Sequence, residues 1–149
     1  MASDRPLWRI LVVDDVPAVR MGVALALQHL GAKVAAAPDP AAGLEAVRLQ
    51  AFDIVVSDIR MPGMDGHEFL RRLKALAPEV DVVMMTAFAT VDGAVSAMRE
   101  GAADFLEKPF TLEQLRQKLA RICERRRLRA GNDFAQTCQT LAVGAPDGP

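Results

Sequence analysis

The feature that most constrains the fold is a fivefold alternation of short apolar runs with segments of helical periodicity along the 149 residues. The apolar runs, several of them rich in Val, Ile and Met, are typical of strands that are covered on both faces. The segments between them carry apolar residues at spacings of three and four, as amphipathic helices do. The predicted strands are residues 10–13, 33–37, 54–57, 80–85 and 104–106.

Strict alternation of strand and helix with short connections predicts right-handed crossovers and helices on both faces of one sheet. The fold class is therefore α/β: a doubly wound, five-stranded parallel sheet of order 2-1-3-4-5, flanked by five helices. In this order the helices after strands one and three leave toward opposite faces, so a crevice opens at the carboxyl ends of these strands. We expect a ligand to bind there.

The domain organisation is predicted as one domain over residues 9–129, which at 51% hydrophobic residues can bury a core. Residues 1–8 are interpreted as an N-terminal extension, with Trp8 packing at the sheet edge. Residues 130–149, rich in Gly and Pro, are interpreted as a flexible tail or the start of a linker.

Charge and composition exclude several classes of function. The formal net charge of −1 gives no broad attraction to nucleic acid or anionic membranes. No apolar run approaches the ~20 residues of a membrane span, and two cysteines are too few for a disulfide framework. We expect a soluble, cytoplasmic protein that binds neither nucleic acid nor membranes directly. The helix macrodipole accounts for a basic cluster near the end of the last helix: Arg125, Arg126, Arg127 and Arg129.

Polar side chains follow the predicted inner strands where each one ends. Asp14 and Asp15 follow the first strand, Asp58 the third, Thr86 the fourth and Lys108 the fifth. Three carboxylates around one crevice repel each other unless they share a cation or a proton. Mg²⁺ prefers such oxygen ligands, and Mn²⁺ could substitute for it.

This combination of groups suits phosphoryl transfer. An ionised carboxylate such as Asp58 attacks directly and needs no general base. The cation and Lys108 neutralise the equatorial oxygens of the transferred group, and Thr86 hydrogen-bonds to it. The product, a mixed anhydride, hydrolyses unaided, which suits a transient signal.

Four segments together resemble the receiver domain of bacterial two-component response regulators, which has a flavodoxin-like fold of the CheY-like type. The resemblance covers roughly residues 8–129 and is closest in detail to receivers of the NtrC class. The segments are 12–15 (Val-Val-Asp-Asp), 58–66 (Asp-Ile-Arg-Met-Pro-Gly-Met-Asp-Gly), 86–87 (Thr-Ala) and 108–110 (Lys-Pro-Phe).

The resemblance implies a phosphoacceptor and a metal site. Asp58 corresponds to the phosphoacceptor and also contributes to the metal site. Asp15 is then a direct Mg²⁺ ligand, Asp14 a ligand largely through water, and the backbone carbonyl of Arg60 a further ligand.

The resemblance also implies a conformational switch. Lys108 would contact the phosphoryl group, Thr86 would move toward it, and Phe105 would take the place of the switch aromatic. The Lys108–Pro109 bond is expected to be cis. Arg60 and Phe88, both bulky, are predicted to tune the lifetime of the phosphorylated state by shielding it from water.

The partners implied are a sensor histidine kinase or histidine phosphotransfer protein, and an output domain or partner protein. A homodimer through helix four, strand five and helix five is a further expectation. The domain would assist its own phosphoryl transfer and dephosphorylation without turning over a separate substrate. An excised receiver, a stand-alone relay protein and a member with another output remain open.

Other functions on this architecture fit the sequence less well. A dinucleotide or flavin enzyme would need glycines after strand one, where Val16 and Pro17 follow the aspartates. An aspartate-based phosphatase would need a second acid two residues after the first-strand carboxylate. A non-phosphorylated, receiver-like interaction module is disfavoured because every reactive position is present.

Overall fold

A computed structural model describes residues 8–60, 63–86 and 91–130 of the chain. In these residues five strands alternate with five helices, as the sequence predicts. The strands are β1 (Arg9–Val13), β2 (Lys33–Ala37), β3 (Ile54–Asp58), β4 (Asp81–Thr86) and β5 (Asp104–Glu107). The helices are α1 (Pro17–His29), α2 (Pro40–Leu49), α3 (Gly66–Leu76), α4 (Val91–Arg99) and α5 (Leu112–Ala130).

The sheet confirms the predicted topology, because all four pairings are parallel and the order is β2-β1-β3-β4-β5. The strands begin and end within one residue of their predicted bounds. Asp58 and Thr86, predicted at the ends of strands three and four, are the last residues of β3 and β4. Sheet hydrogen bonding therefore fixes their backbones. We call this end of the sheet the carboxyl edge, and the opposite end, where β3 and β4 begin, the amino edge.

Two apolar cores lie on the two faces of the sheet. Strand side chains alternate between them, with Val12 and Val56 on one face and Leu11 and Val55 on the other. The first core is completed by α1 and α5, and the second by α2, α3 and α4. Helix side chains that are fully buried in these cores include Leu27, Phe69, Leu70, Leu73, Leu115, Leu119 and Ile122.

Helix α5 begins with a capping box formed by Thr111 and Gln114. The Gln114 N–H donates to Thr111 Oγ1 at 3.0 Å, and the Thr111 N–H donates to Gln114 Oε1 at 2.9 Å. Two N–H groups at the start of the helix are thus satisfied by side chains.

The amino edge departs from expectation at two residues. Trp8, predicted to pack at the sheet edge, is 1% exposed and belongs to the first core. Arg126 is not simply a surface cation at a helix end: it hydrogen-bonds to Asp53, Glu79 and Asp81 and lies 5.6 Å from the centre of the Trp8 ring. These contacts tie the last turns of α5 to the starts of β3 and β4.

The predicted tail lies outside the described residues from 131 onward, as do residues 1–7 of the predicted extension. Within the described ranges, none of the helices combines the length and the hydropathy needed to cross a bilayer.

Candidate functional site

The carboxyl edge brings together five of the predicted site residues. Asp14 is fully buried directly after β1, and Asp58 and Thr86, at the ends of β3 and β4, are 8% and 3% exposed. Lys108 follows β5, and Asp15 follows Asp14 at the start of the loop to α1. Parallel pairing accounts for this convergence, because the carboxyl ends of all the strands meet at one edge.

Asp14 is held through all four of its polar groups. Its N–H donates to the Ala37 carbonyl of β2 at 3.2 Å, and its Oδ1 accepts from the Val16 N–H at 2.9 Å. Its Oδ2 accepts from Lys108 Nζ at 3.1 Å, and its carbonyl accepts from Arg20 Nη1 at 2.8 Å. The position of this carboxylate is therefore fixed from several elements at once.

Asp58 shares the ammonium group of Lys108 with Asp14, since Lys108 Nζ also lies 3.4 Å from Asp58 Oδ1. Burial raises the pKa of the Asp58 carboxyl above its usual value, and the negative charge of Asp14 raises it further. The charge of Lys108 and hydrogen bonds from Lys108 and the Arg60 backbone act in the opposite direction on this pKa. One ammonium faces three carboxylates, so the site has an excess of negative charge that a cation would relieve.

The three carboxylates fit a small divalent cation. One oxygen each from Asp14, Asp15 and Asp58 lie within 4.8 Å of one another. Opposite ligands of an octahedral Mg²⁺ ion at ~2.0 to 2.1 Å are about 4.1 Å apart, so a small closure or one intervening water completes such a site. Both oxygens of Asp14 already accept hydrogen bonds, which favours contact through water for this residue.

The loop after β3 folds back closely on itself. The Ile59 N–H donates to the Met85 carbonyl, and the Gly66 N–H donates to the Ile59 carbonyl, both at 2.9 Å. A Cβ at Gly66 would lie 2.6 Å from the Ile59 carbonyl oxygen and 2.7 Å from its Cα, so only glycine fits here. This return brings the start of α3 against the residue that follows Asp58. Residues 61 and 62 of the loop lie outside the described residues, and the role of the Arg60 carbonyl as a metal ligand stays a prediction.

The ends of β4 and β5 are linked directly, because the Lys108 N–H donates to the Thr86 carbonyl at 2.7 Å. Phe105 is half-buried on β5 and pairs in register with Met84. The Lys108–Pro109 bond is cis, which confirms the expectation. Phe88 lies outside the described residues.

Sequence reasoning missed the contact of Arg20 with the Asp14 carbonyl. Arg20 lies on α1, six residues after Asp14, and belongs to none of the four segments that carried the resemblance. Its only signal in the sequence is a basic residue one turn into the helix that follows the paired aspartates.

Comparison with known proteins gives a consistent assignment. Residues 10–120 match the sequence model of the family described as Response regulator receiver domain. The response regulator protein FleR of Pseudomonas aeruginosa is 41% identical over 113 residues, which cover 76% of this chain and 24% of FleR. The DNA-binding transcriptional regulator NtrC of Escherichia coli is 40% identical over 105 residues, covering 70% of this chain and 22% of NtrC.

A solved structure, the receiver domain of NtrX from Brucella abortus, matches with a TM-score of 0.73 and 38% identity. The match covers 77% of this chain and 98% of that domain. The chain spans about a quarter of the length of FleR and of NtrC, so the similarity concerns one domain of these regulators.

Proposed function

Since the chain belongs to the response regulator receiver domain family of two-component signalling, we propose that it is a switch set by phosphorylation of Asp58. The observation that carries this proposal is the position of Asp58 at the end of β3, beside two further carboxylates and 3.4 Å from Lys108. An ionised carboxylate held next to a cation site and an ammonium group is an oxygen nucleophile for phosphoryl transfer.

In the proposed reaction an Oδ atom of Asp58 forms a bond to phosphorus while the bond from phosphorus to the donor breaks. When the donor is a phosphohistidine, the imidazole nitrogen leaves with the electron pair and is protonated by solvent. Lys108 compensates charge on the equatorial oxygens, and the Thr86 hydroxyl donates a hydrogen bond to an oxygen of the new phosphoryl group. Water later cleaves the anhydride at phosphorus, which resets Asp58 without a separate substrate.

Asp14, Asp15 and Asp58, with the Arg60 carbonyl, are the proposed residues that hold Mg²⁺, or Mn²⁺ in its place. When bound, the cation neutralises negative charge on the carboxylates and on the phosphoryl oxygens. The excess of carboxylates over ammonium groups at the carboxyl edge supports this assignment.

Incubation with acetyl phosphate and Mg²⁺, followed by intact-mass measurement, tests the proposal. We expect the mass of one phosphoryl group to be added, and Asp58→Asn to abolish the addition. Asp39→Asn is the matched control, because Asp39 caps α2 through its side chain and asparagine caps equally well. Equal labelling of Asp58→Asn and the wild type would refute Asp58 as the acceptor.

The phosphodonor is proposed to be a histidine kinase or histidine phosphotransfer protein that docks beside α1. An apolar groove of about 530 Å³ opens between α1 and the start of α5, and Lys108 lines both this groove and the acceptor site. A protein seated in the groove would therefore bring its phosphohistidine next to Asp58. The remaining lining includes Val19, Gly22, Val23, Ala26, Phe110 and Leu112.

Leu112→Glu separates docking from chemistry, because Leu112 lines the groove and is 42% exposed. We expect slower phosphoryl transfer from a phosphorylated histidine kinase and unchanged labelling by acetyl phosphate. Equal transfer from the kinase to Leu112→Glu and the wild type would contradict docking at this groove.

The output surface is proposed to be the face formed by α4, β5 and α5, through which an output domain, a partner protein or a second copy is contacted. A phosphoryl group adds about −1.5 to −2 charges at Asp58, beside Lys108. Because the Lys108 N–H is bonded to the Thr86 carbonyl, a shift of the end of β4 is transmitted to β5. Val95 and Met98 of α4 are 42% and 46% exposed, so this helix has apolar side chains that a partner can contact.

A further inference from the structure

Arg20 is the one side chain of α1 that bonds to the backbone between the two predicted metal-binding aspartates. Its Nη1 donates to the carbonyl oxygen of Asp14 at 2.8 Å. That carbonyl belongs to the peptide unit joining Asp14 to Asp15, so its direction sets how the two residues are oriented relative to each other.

The Asp14 carbonyl lies beyond the sheet ladder. The pairing of β1 with β2 and with β3 ends at Val13, and Asp14 itself is fully buried. Among the described residues, no main-chain N–H donates to this carbonyl. A buried carbonyl requires a hydrogen-bond partner, and the guanidinium of Arg20 supplies it.

The first turn of α1 gives Arg20 a fixed base for this contact. The Arg20 N–H donates to the Val16 carbonyl at 2.9 Å, and the Val16 N–H donates to Asp14 Oδ1, also at 2.9 Å. The N-cap residue of α1, Val16, makes no capping hydrogen bond through its side chain. Asp14 and the helix start are therefore joined twice, once through Oδ1 and once through Arg20.

We propose that Arg20 is a positioning residue of the cation site, holding the peptide unit between Asp14 and Asp15 so that both carboxylates face the ion. The inference rests on the proposed function, since it takes these aspartates as the residues that hold Mg²⁺. Groups that orient metal-binding residues in this way commonly change metal affinity by about 10-fold to 100-fold when they are removed.

Calorimetric titration with Mg²⁺ of wild type, Arg20→Met, Arg20→Lys and Arg48→Met tests the proposal. We expect Arg20→Met to raise the dissociation constant about tenfold, and Arg20→Lys, which keeps a donor and the charge, to restore part of the affinity. Arg48→Met removes the same charge from an exposed pair with Glu45 on α2 and should leave the affinity unchanged. The Mg²⁺ concentration for half-maximal labelling by acetyl phosphate should rise in Arg20→Met, whereas labelling at saturating Mg²⁺ should be kept.

If Arg20→Met bound Mg²⁺ with wild-type affinity, or if Arg48→Met lost as much affinity, the proposed role of Arg20 would be overturned. The proposed function would be unaffected. A wild-type chain that binds no Mg²⁺ and accepts no phosphoryl group would overturn the proposed function and this inference together. Melting temperatures of the metal-free variants show whether each one is folded. If Arg20→Met does not fold, the Mg²⁺ affinity of Arg20→Lys decides the test.

Discussion

At the amino edge of the sheet Arg126 meets Asp53 and Asp81, and at the carboxyl edge Lys108 meets Asp14 and Asp58. Each cluster combines one basic side chain with carboxylates, but the two clusters differ in how fully the carboxylates are paired. The guanidinium of Arg126 satisfies two carboxylates and two backbone carbonyls, and the other oxygen of Asp53 accepts the Arg9 N–H. The amino edge is thus a closed network, by which we mean that both of its carboxylates are paired with donor groups of the protein.

The carboxyl edge is left with excess charge. Asp15 adds a third carboxylate to the cluster, and burial raises the pKa of Asp58. A folded domain keeps such an arrangement at a cost in stability, and the cost is relieved when a cation binds. One sheet therefore carries a network that stabilises the fold at one end and a site that is completed by ligands at the other.

The largest effect is expected at the amino edge, for Arg126→Met. Its side chain is 13% exposed, and its loss leaves Asp53 and Asp81 without their shared cation. We expect the free energy of unfolding, measured by urea denaturation, to fall by about 3 kcal/mol. Arg121→Met on the same helix is the control, since that side chain is 65% exposed and its loss should change stability by less than about 0.5 kcal/mol. Equal losses in the two variants would remove the distinction between a closed network and a surface charge.

Gly66→Ala tests the backbone that encloses the carboxyl edge. The added Cβ would lie 2.6 Å from the Ile59 carbonyl oxygen, so backbone must move. We expect a loss of about 2 kcal/mol in the free energy of unfolding, together with weaker Mg²⁺ binding because the loop after Asp58 shifts. Gly22→Ala is matched to it, since a Cβ there meets no atom within 4 Å in α1 and should stabilise the helix by about 0.5 to 1 kcal/mol. A stable Gly66→Ala with wild-type Mg²⁺ affinity would show that the close return is not required.

Asp58→Asn and Asp81→Asn compare the two edges directly, and their effects should have opposite signs. Without metal, Asp58→Asn removes one of three clustered carboxylates and should stabilise the fold by about 1 kcal/mol. Asp81→Asn weakens the bond to Arg126 at 2.8 Å and should destabilise it by about 1 kcal/mol. Urea denaturation in the presence of a chelator measures both, and effects of the same sign would refute the proposed difference between the edges.

The pH dependence of the free energy of unfolding is a second measure of the excess charge at the carboxyl edge. Because the pKa of Asp58 is higher in the folded state than in the unfolded state, the folded chain binds more protons between these two values. Its contribution to stability is therefore present below the unfolded pKa and is lost as pH rises through the folded pKa. In Asp58→Asn, the free energy of unfolding measured without metal should not fall in this way as pH rises through the range between the two pKa values. An equal fall in the variant would mean that another group causes it.

The sequence predicted the contacts of the carboxyl edge better than those of the amino edge. At the carboxyl edge, parallel pairing brings the strand ends together whatever the side chains are, so Asp14, Asp58 and Thr86 could be placed from the strand order alone. At the amino edge, the partners of Arg126 are 45 to 73 residues away, and an arginine near a helix end looks the same whether it is solvated or buried. The full burial of Trp8 could not be predicted for a related reason, since Trp8 packs in the same core as residues of α5.

Arg20 was missed because its contact is with a backbone carbonyl. A carbonyl is present at every residue, and no sequence pattern marks the one that lies beyond a sheet ladder. The tuning roles of Arg60 and Phe88 remain predictions from the resemblance.

The smallest expected effect concerns the two ends of α5, which runs between the two edges. Near the amino edge α5 is held by Arg126, whose side chain is 13% exposed, and near the carboxyl edge it begins with the exposed pair of Thr111 and Gln114. Gln114→Ala removes the reciprocal bond to the Thr111 N–H but leaves the Thr111 hydroxyl to cap the helix. We therefore expect urea denaturation to report a loss of about 0.5 kcal/mol, because the freed N–H can bond to water. Gln117→Ala, one turn further along, removes only a 3.3 Å contact with Glu113 and should change stability less. A loss at Gln114 as large as that at Arg126 would mean that the start of α5 contributes as much to stability as the closed network at the amino edge.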